Sequence, residues 1–385
     1  MDKLAIVILN YNGRHYLQKF LPSVLKNSNN FPVYVADNFS SDDSINYLKK
    51  EFPTIRLIEF KKNFGFSEGY NRALGRIHAE YYMLLNSDVE VTPNWLNPLV
   101  KLMDENRHIA ACQPKLLQYF QKEYFEYAGA AGGFIDKYGY PFCRGRIFRT
   151  MEKDFGQYDD SCPVFWATGA CMLVRSEIFT RLGGFDPDYF AHMEEIDLCW
   201  RMKLAGFTIY YTGDSVIYHV GGGTLPESDP FKTYLNFRNS LITLVKNGKS
   251  AGLIWMMGVR FFFDLLACLK FLLIDSPGDS KAVLRANYHV YRKIGYYLKK
   301  RKGIYREMEN VGSVFRGSIV ISYYLFGRKF FFNLGSIIPD PVVSAAQPLP
   351  EIHGKSKRKV QNDGGSKGKE RSINEKNSDA GRWNF

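Results

Sequence analysis

Three carboxylates crowd one short stretch, Glu194-Glu-Ile-Asp-Leu198, and a fourth, Asp88, stands in Leu84-Leu-Asn-Ser-Asp-Val89. Acids packed this closely are costly to bury, and a solvated helix start, which favours acids, is the plain reading of the trio. Asp88 offers a single carboxylate, enough to hold magnesium when a substrate's phosphate oxygens and water fill the other positions. His219, in Tyr218-His-Val-Gly-Gly-Gly223, is a second donor type, and an imidazole suits manganese better than magnesium. A hydrogen-bonded core histidine is the competing reading. Asp37 can accept a hydrogen bond from a nucleobase or ribose in a crevice, or cap the turn at Ser40. Gly65 and Gly69 let a backbone approach a ligand closely, or simply make turns.

These residues need a scaffold, and the first hundred positions supply one. Apolar runs at 4–9, 32–37, 55–60 and 81–86 alternate with helix-like stretches, the first marked by Leu17, Phe20, Leu21, Val24 and Leu25 at helical spacing. Ser41, followed by Asp42 and Asp43, reads as one helix start and Thr92-Pro93 as another. This β-α-β-α pattern predicts an α/β fold with a mostly parallel sheet, which binds ligands at the carboxyl ends of its strands. Polar residues cluster at those ends: Asn10 and Asn12, Asp37, Asn63 and Gly65, Asn86 and Asp88.

Six fragments occur in order: Val7-Ile-Leu-Asn-Tyr-Asn-Gly13; Val35-Ala-Asp-Asn38 with Ser40-Ser-Asp42; Asn63-Phe-Gly65 with Gly69-Tyr-Asn71; Leu84-Leu-Asn-Ser-Asp-Val89; Gly183-Gly-Phe-Asp186; and Glu194-Glu-Ile-Asp-Leu198. Over residues 3–240 the chain resembles family 2 glycosyltransferases of the GT-A fold, nearest to the rhamnosyltransferase-like branch of bacterial cell-surface polysaccharide synthesis. The resemblance implies an inverting, metal-dependent transfer from a nucleoside-diphosphate sugar to a hydroxyl of a lipid-linked glycan. It places Leu9, Asn10, Tyr11, Asn12, Asp37, Gly65, Asn71, Asn86, Ser87 and Arg238 around the nucleotide, and Asp88 and His219 on the divalent metal, magnesium or manganese. Glu195 falls at the position of the general base, with Asp197 as runner-up, and Trp166, Gly169 and Glu194 face the acceptor. Where the family carries a D-x-D motif this chain reads Asn86-Ser87-Asp88, so one carboxylate is missing. The base position holds Glu in place of the usual Asp. Trp166 also reads as a core residue, and Arg238 as a surface one.

The charge is asymmetric. Residues 1–245 hold 26 basic and 28 acidic residues, residues 246–343 hold 16 and 6, and residues 344–385 hold 9 and 5. A basic C-terminal part points to a polyanionic surface, either anionic lipid or nucleic acid. The apolar stretch 251–274, interrupted by Arg260, Asp264 and Lys270, favours lipid: central charges oppose spanning, so the helix is expected to lie in the interface with its charges toward the headgroups. The resulting division is a GT-A-like domain over 1–245, a basic amphipathic helical region over 246–343 that associates with the membrane, and a disordered tail over 344–385. The expected setting is cytoplasmic, peripheral on the inner face of the cell membrane, with no nucleic-acid partner. Six cysteines without a Cys-x-x-Cys pair speak for reduced thiols and against structural zinc. A dinucleotide oxidoreductase would need Gly-x-Gly-x-x-Gly after the first strand, where this chain has Asn10-Tyr-Asn-Gly-Arg14. An inactive membrane scaffold would explain the basic C-terminus but not the acids.

Overall fold

The computed structural model describes residues 1–221, 229–274, 276–304 and 311–341, so the tail from 344 and the last glycines of the 218–223 motif lie outside it. Strands β1 (Asp2–Asn10), β2 (Val33–Asp37), β3 (Arg56–Glu59) and β4 (Ala79–Leu85) are joined by α1 (Arg14–Lys26), α2 (Ser44–Glu51) and α3 (Gly65–Leu74). The four strands lie parallel in the order β3-β2-β1-β4. Next come β5 (Val89–Val91), α4 (Leu96–Glu105) and β6 (Ile109–Gln118). Four short strands, β7 (Gly133–Asp136), β8 (Pro141–Cys143), β9 (Arg146–Ile147) and β10 (Thr150–Met151), branch off into a second sheet. The large sheet is completed by β11 (Ser161–Val164), β12 (Cys171–Arg175) and β13 (Thr208–His219), with α5 (Ser176–Arg181) and α6 (Glu194–Leu204) between the last two.

Alternation along β1 explains the layers. Leu4, Ile6 and Ile8 point to a core shared with Leu17 and Leu21 of α1 and Leu99 of α4, while Ala5 and Val7 point to one shared with Tyr70 of α3 and Ile178 of α5. The expected parallel arrangement holds for the half built by helical crossovers. The other half is mixed: β12 runs antiparallel between β4 and β6, β13 is parallel to β6, and β11 and β5 are antiparallel to β13. The cause is the entry point of β12, whose first residue Cys171 pairs with Leu85 at the carboxyl end of β4, so the strand must run back against it.

Two helix starts differ from their sequence signals. Thr92 donates its hydroxyl to the Val216 carbonyl (2.7 Å), and the helix begins at Leu96. The Ser41 start moves to Ser44, because Asp42 accepts hydrogen bonds from the Ser44 main chain and the Arg14 amide.

The C-terminal part contains α7 (Pro230–Asn247), α8 (Leu253–Leu273), α9 (Pro277–Arg292) and α10 (Ile294–Arg301), then β14 (Val314–Phe315), α11 (Ile319–Tyr324) and β15 (Ile337–Ile338). The region expected to be helical therefore also contributes strands: β14 pairs with β7, and β15 closes the small sheet. Helices α8 and α9 are antiparallel. Tyr291 donates to the Met257 carbonyl (3.0 Å), Asn287 to Asp264 (2.9 Å), and Cys268 lies 2.9 Å from Ser280.

The charges of α8 do not face outward as expected, although Trp255, Phe261, Phe262 and Leu265 are exposed. Arg260 and Asp264 are each 1% exposed and face the protein, where Arg260 donates to Ser240 (2.9 Å) and to the Tyr138 carbonyl (3.2 Å) and stacks on Tyr140. Asp264 accepts from Asn287 and from the Tyr140 hydroxyl. Buried charges persist only with such partners, and α7, α9 and the 138–140 turn provide them. Among the described residues no helix is long and apolar enough to cross a membrane. All six cysteines are free.

Candidate active site

The first cluster forms where β13 meets the end of β4. Pairing of His219 with Val89 sets the imidazole beside Asp88, with Nε2 3.1 Å from Asp88 Oδ1 and Asn86 Nδ2 3.4 Å away. On the opposite side Glu126 Oε1 lies 3.2 Å from His219 Nδ1. All three side chains are buried. Burial works against charge on the imidazole, but Asp88 and Glu126 outweigh it and raise His219 well above its ordinary value. Burial likewise opposes the Asp88 carboxylate, and His219 reverses that effect and lowers it.

Among the described residues no group of three or more His, Cys, Asp or Glu side chains is arranged to hold a metal by itself. Asp88 and His219 converge as one oxygen and one nitrogen donor, a set that fits a divalent ion completed by phosphate oxygens and water. Glu126 has no sequence pattern around it. It sits on the far side of the imidazole from Asp88 and fixes the ring's orientation.

The second cluster sits at the carboxyl ends of β1 and β2. Asp37 is fully buried and accepts from the Asn10 amide (3.0 Å), the Ser40 hydroxyl (2.6 Å) and the Ser40 main chain (2.9 Å). Asn12, at φ 51°, receives the Ser41 amide (2.7 Å). A side chain built at Gly13 would meet Asn10 Oδ1 at 2.5 Å and Ser87 Oγ at 3.4 Å, so Ser87 borders the same turn. Tyr11 is partly buried there, and Leu9 packs under Gly69, where an added Cβ would lie 3.0 Å from it.

Asn38 and Asn63 stand in the quoted motifs without an expected role, yet they build the Gly65 loop. Asn38 donates to Asn63 and to the Gly65 carbonyl (both 3.0 Å), and Asn63 accepts the Gly65 amide (2.8 Å). Gly65 has φ 71°, and a Cβ there would strike the Phe190 ring at 2.6 Å. Asn71 differs from its expected nucleotide role: both ends of its amide engage the Phe185 main chain (2.8 and 2.9 Å), which leaves it a positioning residue.

The acid trio opens α6. Glu194 and Glu195 each keep one oxygen shut from solvent without a hydrogen-bond partner. Burial pushes Glu195 up to about 7, with the amides of Glu195 and Ile196 at the helix start pulling the other way. Glu194 is also raised, by burial and by the neighbouring Glu195 charge. Gly169 lies beside the trio: a Cβ there would be 3.2 Å from the Phe66 ring and 3.9 Å from Glu195 Cβ. Its neighbour Ala170 accepts the Asn86 amide (2.9 Å), so a few residues connect the acid trio to the Asp88 side.

Three other expectations in this region are corrected. Asp197 is fully buried and ion-paired with Arg201 (2.9 Å) and Lys246 (2.8 Å), with Asn247 also donating to it, so it anchors α6 inside the protein and is shut off from a substrate proton. Trp166 is a core strut, its indole N–H donating to Phe134 and its ring lying over Gly133 at a separation no side chain there would allow. Arg238 donates to the carbonyls of Asp188 and Tyr189 (both 2.9 Å), so its guanidinium holds the protein's own backbone.

Those contacts brace an unusual loop. Phe190, His192 and Met193 all have positive φ, a conformation that non-glycine residues keep only when their surroundings impose it. Asn239 Nδ2 lies 3.1, 2.8 and 2.7 Å from the carbonyls of Tyr189, Ala191 and His192. Lys246 and Lys300 both reach Asp186 at 2.6 Å, and Lys300 also reaches Asp188. The Phe190 carbonyl in turn accepts the amides of Phe66 and Ser67 at the start of α3. One loop thus joins the glycine turn of the second cluster to the acids of the third.

Residues 5–183 match the family described as glycosyl transferase family 2. The chain is 26% identical over 253 residues to the N-acetylglucosaminyl-diphospho-decaprenol L-rhamnosyltransferase of Mycobacterium tuberculosis, covering 58% of this chain and 78% of that one. It is also 26% identical over 215 residues to the rhamnosyltransferase WbbL of Escherichia coli, covering 54% and 79%. In fold it is similar to the crystal structure of GalNAc-T7 with UDP, GalNAc and Mn2+, with a TM-score of 0.50 at 16% identity, covering 64% of this chain and 48% of that one. Residues 5–183 thus match family 2 glycosyltransferases, the fold is of the GT-A type, and the chain is similar at low identity to rhamnosyltransferases of that family.

Proposed function

We propose that the protein transfers a sugar from a nucleoside-diphosphate donor to a hydroxyl of a lipid-linked glycan, with inversion at the anomeric carbon, in cell-surface polysaccharide synthesis. The observation that carries this reading is Glu195, a carboxylate held near neutrality beside Gly169 and bound by its loop to the Gly65 turn. A general base works best when its pKa is close to the operating pH. Glu195 takes the proton of the acceptor hydroxyl as that oxygen attacks the anomeric carbon. The bond to the diphosphate breaks on the opposite face, and the nucleoside diphosphate leaves with the electron pair. The Asn10–Asp37 cluster and the Gly65 turn form the nucleoside side, and Glu194, whose carboxyl is raised by burial and by the neighbouring Glu195 charge, lines the acceptor side. The lipid-linked acceptor is favoured by the resemblance to the decaprenol-dependent relative.

Asp88 and His219 would hold the divalent ion, with Glu126 fixing the imidazole. Bound there, the ion supplies charge neutralisation for the departing diphosphate. Calorimetry with nucleoside diphosphates tests this assignment. Asp88→Ala should weaken binding in the presence of manganese and leave it unchanged in its absence. Glu126→Gln should weaken the manganese-dependent part by about 10- to 100-fold, as loss of an orienting carboxylate typically does. Equal binding by wild type and both variants with metal present would remove the assignment. The transfer itself is tested with a panel of nucleotide sugars and polyprenyl-diphosphate glycans, read as enzyme-dependent release of nucleoside diphosphate. No release from any donor with a well-folded enzyme would overturn the reaction proposed.

A further inference from the structure

Turning Arg260 and Asp264 inward leaves α8 with its apolar side outward. Trp255, Phe262, Leu266, Leu269 and Leu273 are all exposed and recur at spacings of seven, four, three and four, so they form one stripe along the helix. Contiguous exposed apolar surface of this kind marks an interaction site. The stripe continues past α11, where Leu325, Phe326 and Phe332 are exposed and Lys270 of α8 lies over the Tyr324 ring.

The charge around the stripe identifies its partner. Among the described residues of 249–341 the acids are Asp264, Asp279 and Asp340, and none is exposed. Lys281, Arg285, Arg292, Lys293, Lys299 and Lys302 are exposed on or just after α9 and α10. An apolar stripe flanked by basic groups, with no exposed acid among the described residues of 249–341, complements a surface that is apolar within and anionic at its boundary. We infer that α8 and the 324–332 segment seat the enzyme on an anionic lipid bilayer, the stripe entering the boundary between headgroups and acyl chains and the α9–α10 lysines and arginines meeting the lipid phosphates.

This surface would hold the site at a fixed attitude to the membrane. Arg260 ties α8 to Ser240 of α7, whose Asn239 grips the loop before Glu194, and Lys300 of α10 grips the same loop at Asp186 and Asp188. The inference does not depend on the transfer chemistry, although it places the enzyme where a lipid-linked acceptor would be.

The test is flotation of the full chain with vesicles of phosphatidylcholine alone or mixed with phosphatidylglycerol, in low and high salt and without any donor. Wild type should bind the anionic vesicles at low salt and lose binding as salt rises. Leu266→Glu combined with Leu269→Glu should reduce binding by about tenfold or more while circular dichroism and nucleoside diphosphate affinity stay unchanged, since apolar insertion sets such affinity. Should that variant misfold, Lys281→Glu with Lys299→Glu tests the basic flank independently and should weaken binding only to anionic vesicles. The inference is overturned if wild type ignores anionic vesicles at low salt. It is equally overturned if the folded Leu266/Leu269 variant binds them as wild type does, or if sedimentation shows a dimer that this variant splits with vesicle binding unchanged.

Discussion

Replacing Glu195 with Gln should lower turnover by about two or more orders of magnitude while leaving nucleoside diphosphate affinity within a factor of about two, because general-base assistance contributes about 10²- to 10⁴-fold and the side chain keeps its shape. The wild-type value of kcat/KM should rise with pH through about 7, as the carboxyl pushed up by burial gives up its proton, and then level off. The stability effect has the opposite sign. A carboxyl raised above its unfolded value favours the fold when protonated, so the contribution is present below the ordinary carboxylate range and is lost as pH rises through about 7. Gln imitates the protonated form. Glu195→Gln should therefore be at least as stable as wild type above pH 7, and a thermal melt separates loss of chemistry from loss of fold. Near-normal turnover in this variant would rule Glu195 out as the base.

Asp197→Ala should instead unfold the enzyme more easily, by about 3–5 kcal/mol, the usual consequence of removing one partner from a buried ion pair. Arg201 and Lys246 both point at this carboxylate inside the protein. Burial alone would raise Asp197, and Lys246 and Arg201 overcome it to hold the group well below the usual carboxylate range. Its contribution to stability is thus present above the unfolded value near 4 and is lost as pH falls below it. Urea titration of wild type and variant at pH 7 and near pH 3 should show the gap between them shrinking in acid. Asp197→Asn, assayed at a temperature where it stays folded, should keep most of its turnover. A variant with unchanged melting but no turnover would instead make Asp197 a catalytic residue.

Sequence patterns disclosed the strand ends because β1, β2 and β4 are mostly apolar, and the polar residue that ends or follows each lies at a strand's carboxyl end. Asp88 and His219 each stand beside a strand end in sequence, but that they meet is visible only once His219 pairs with Val89. Glu126 was hidden: it lies in a loop between the sheets, and only the close pairing of β6 and β13 brings it to the imidazole. Asn239 adjoins Arg238 in sequence, but its use depends on three carbonyls of a distant loop that no local pattern reveals. Trp166 and Asp197 were misplaced for a shared reason. An indole or a carboxylate reads the same in sequence whether it faces a ligand or a buried partner, and Phe134, Arg201 and Lys246 are the partners here. On α8 the polar stripe of Arg260 and Asp264 was visible, but not the partners that draw it inward.

The small sheet has a consequence for how the chain is made. Asp136, at the end of β7, accepts the amides of Tyr138, Tyr140 and Ile319, and β14 supplies the strand that lies beside β7. On the ribosome, β7 emerges long before Ile319, and all strands of the large sheet are complete once β13 is out. At about 5–20 residues per second, the remaining synthesis up to α11 takes roughly 5–20 s. During that interval β7 presents an open edge and Asp136 lacks its last donor, so pairing with a neighbouring nascent chain competes with proper closure. Slower initiation or lower temperature during expression, which spaces nascent chains apart, favours closure within the same molecule.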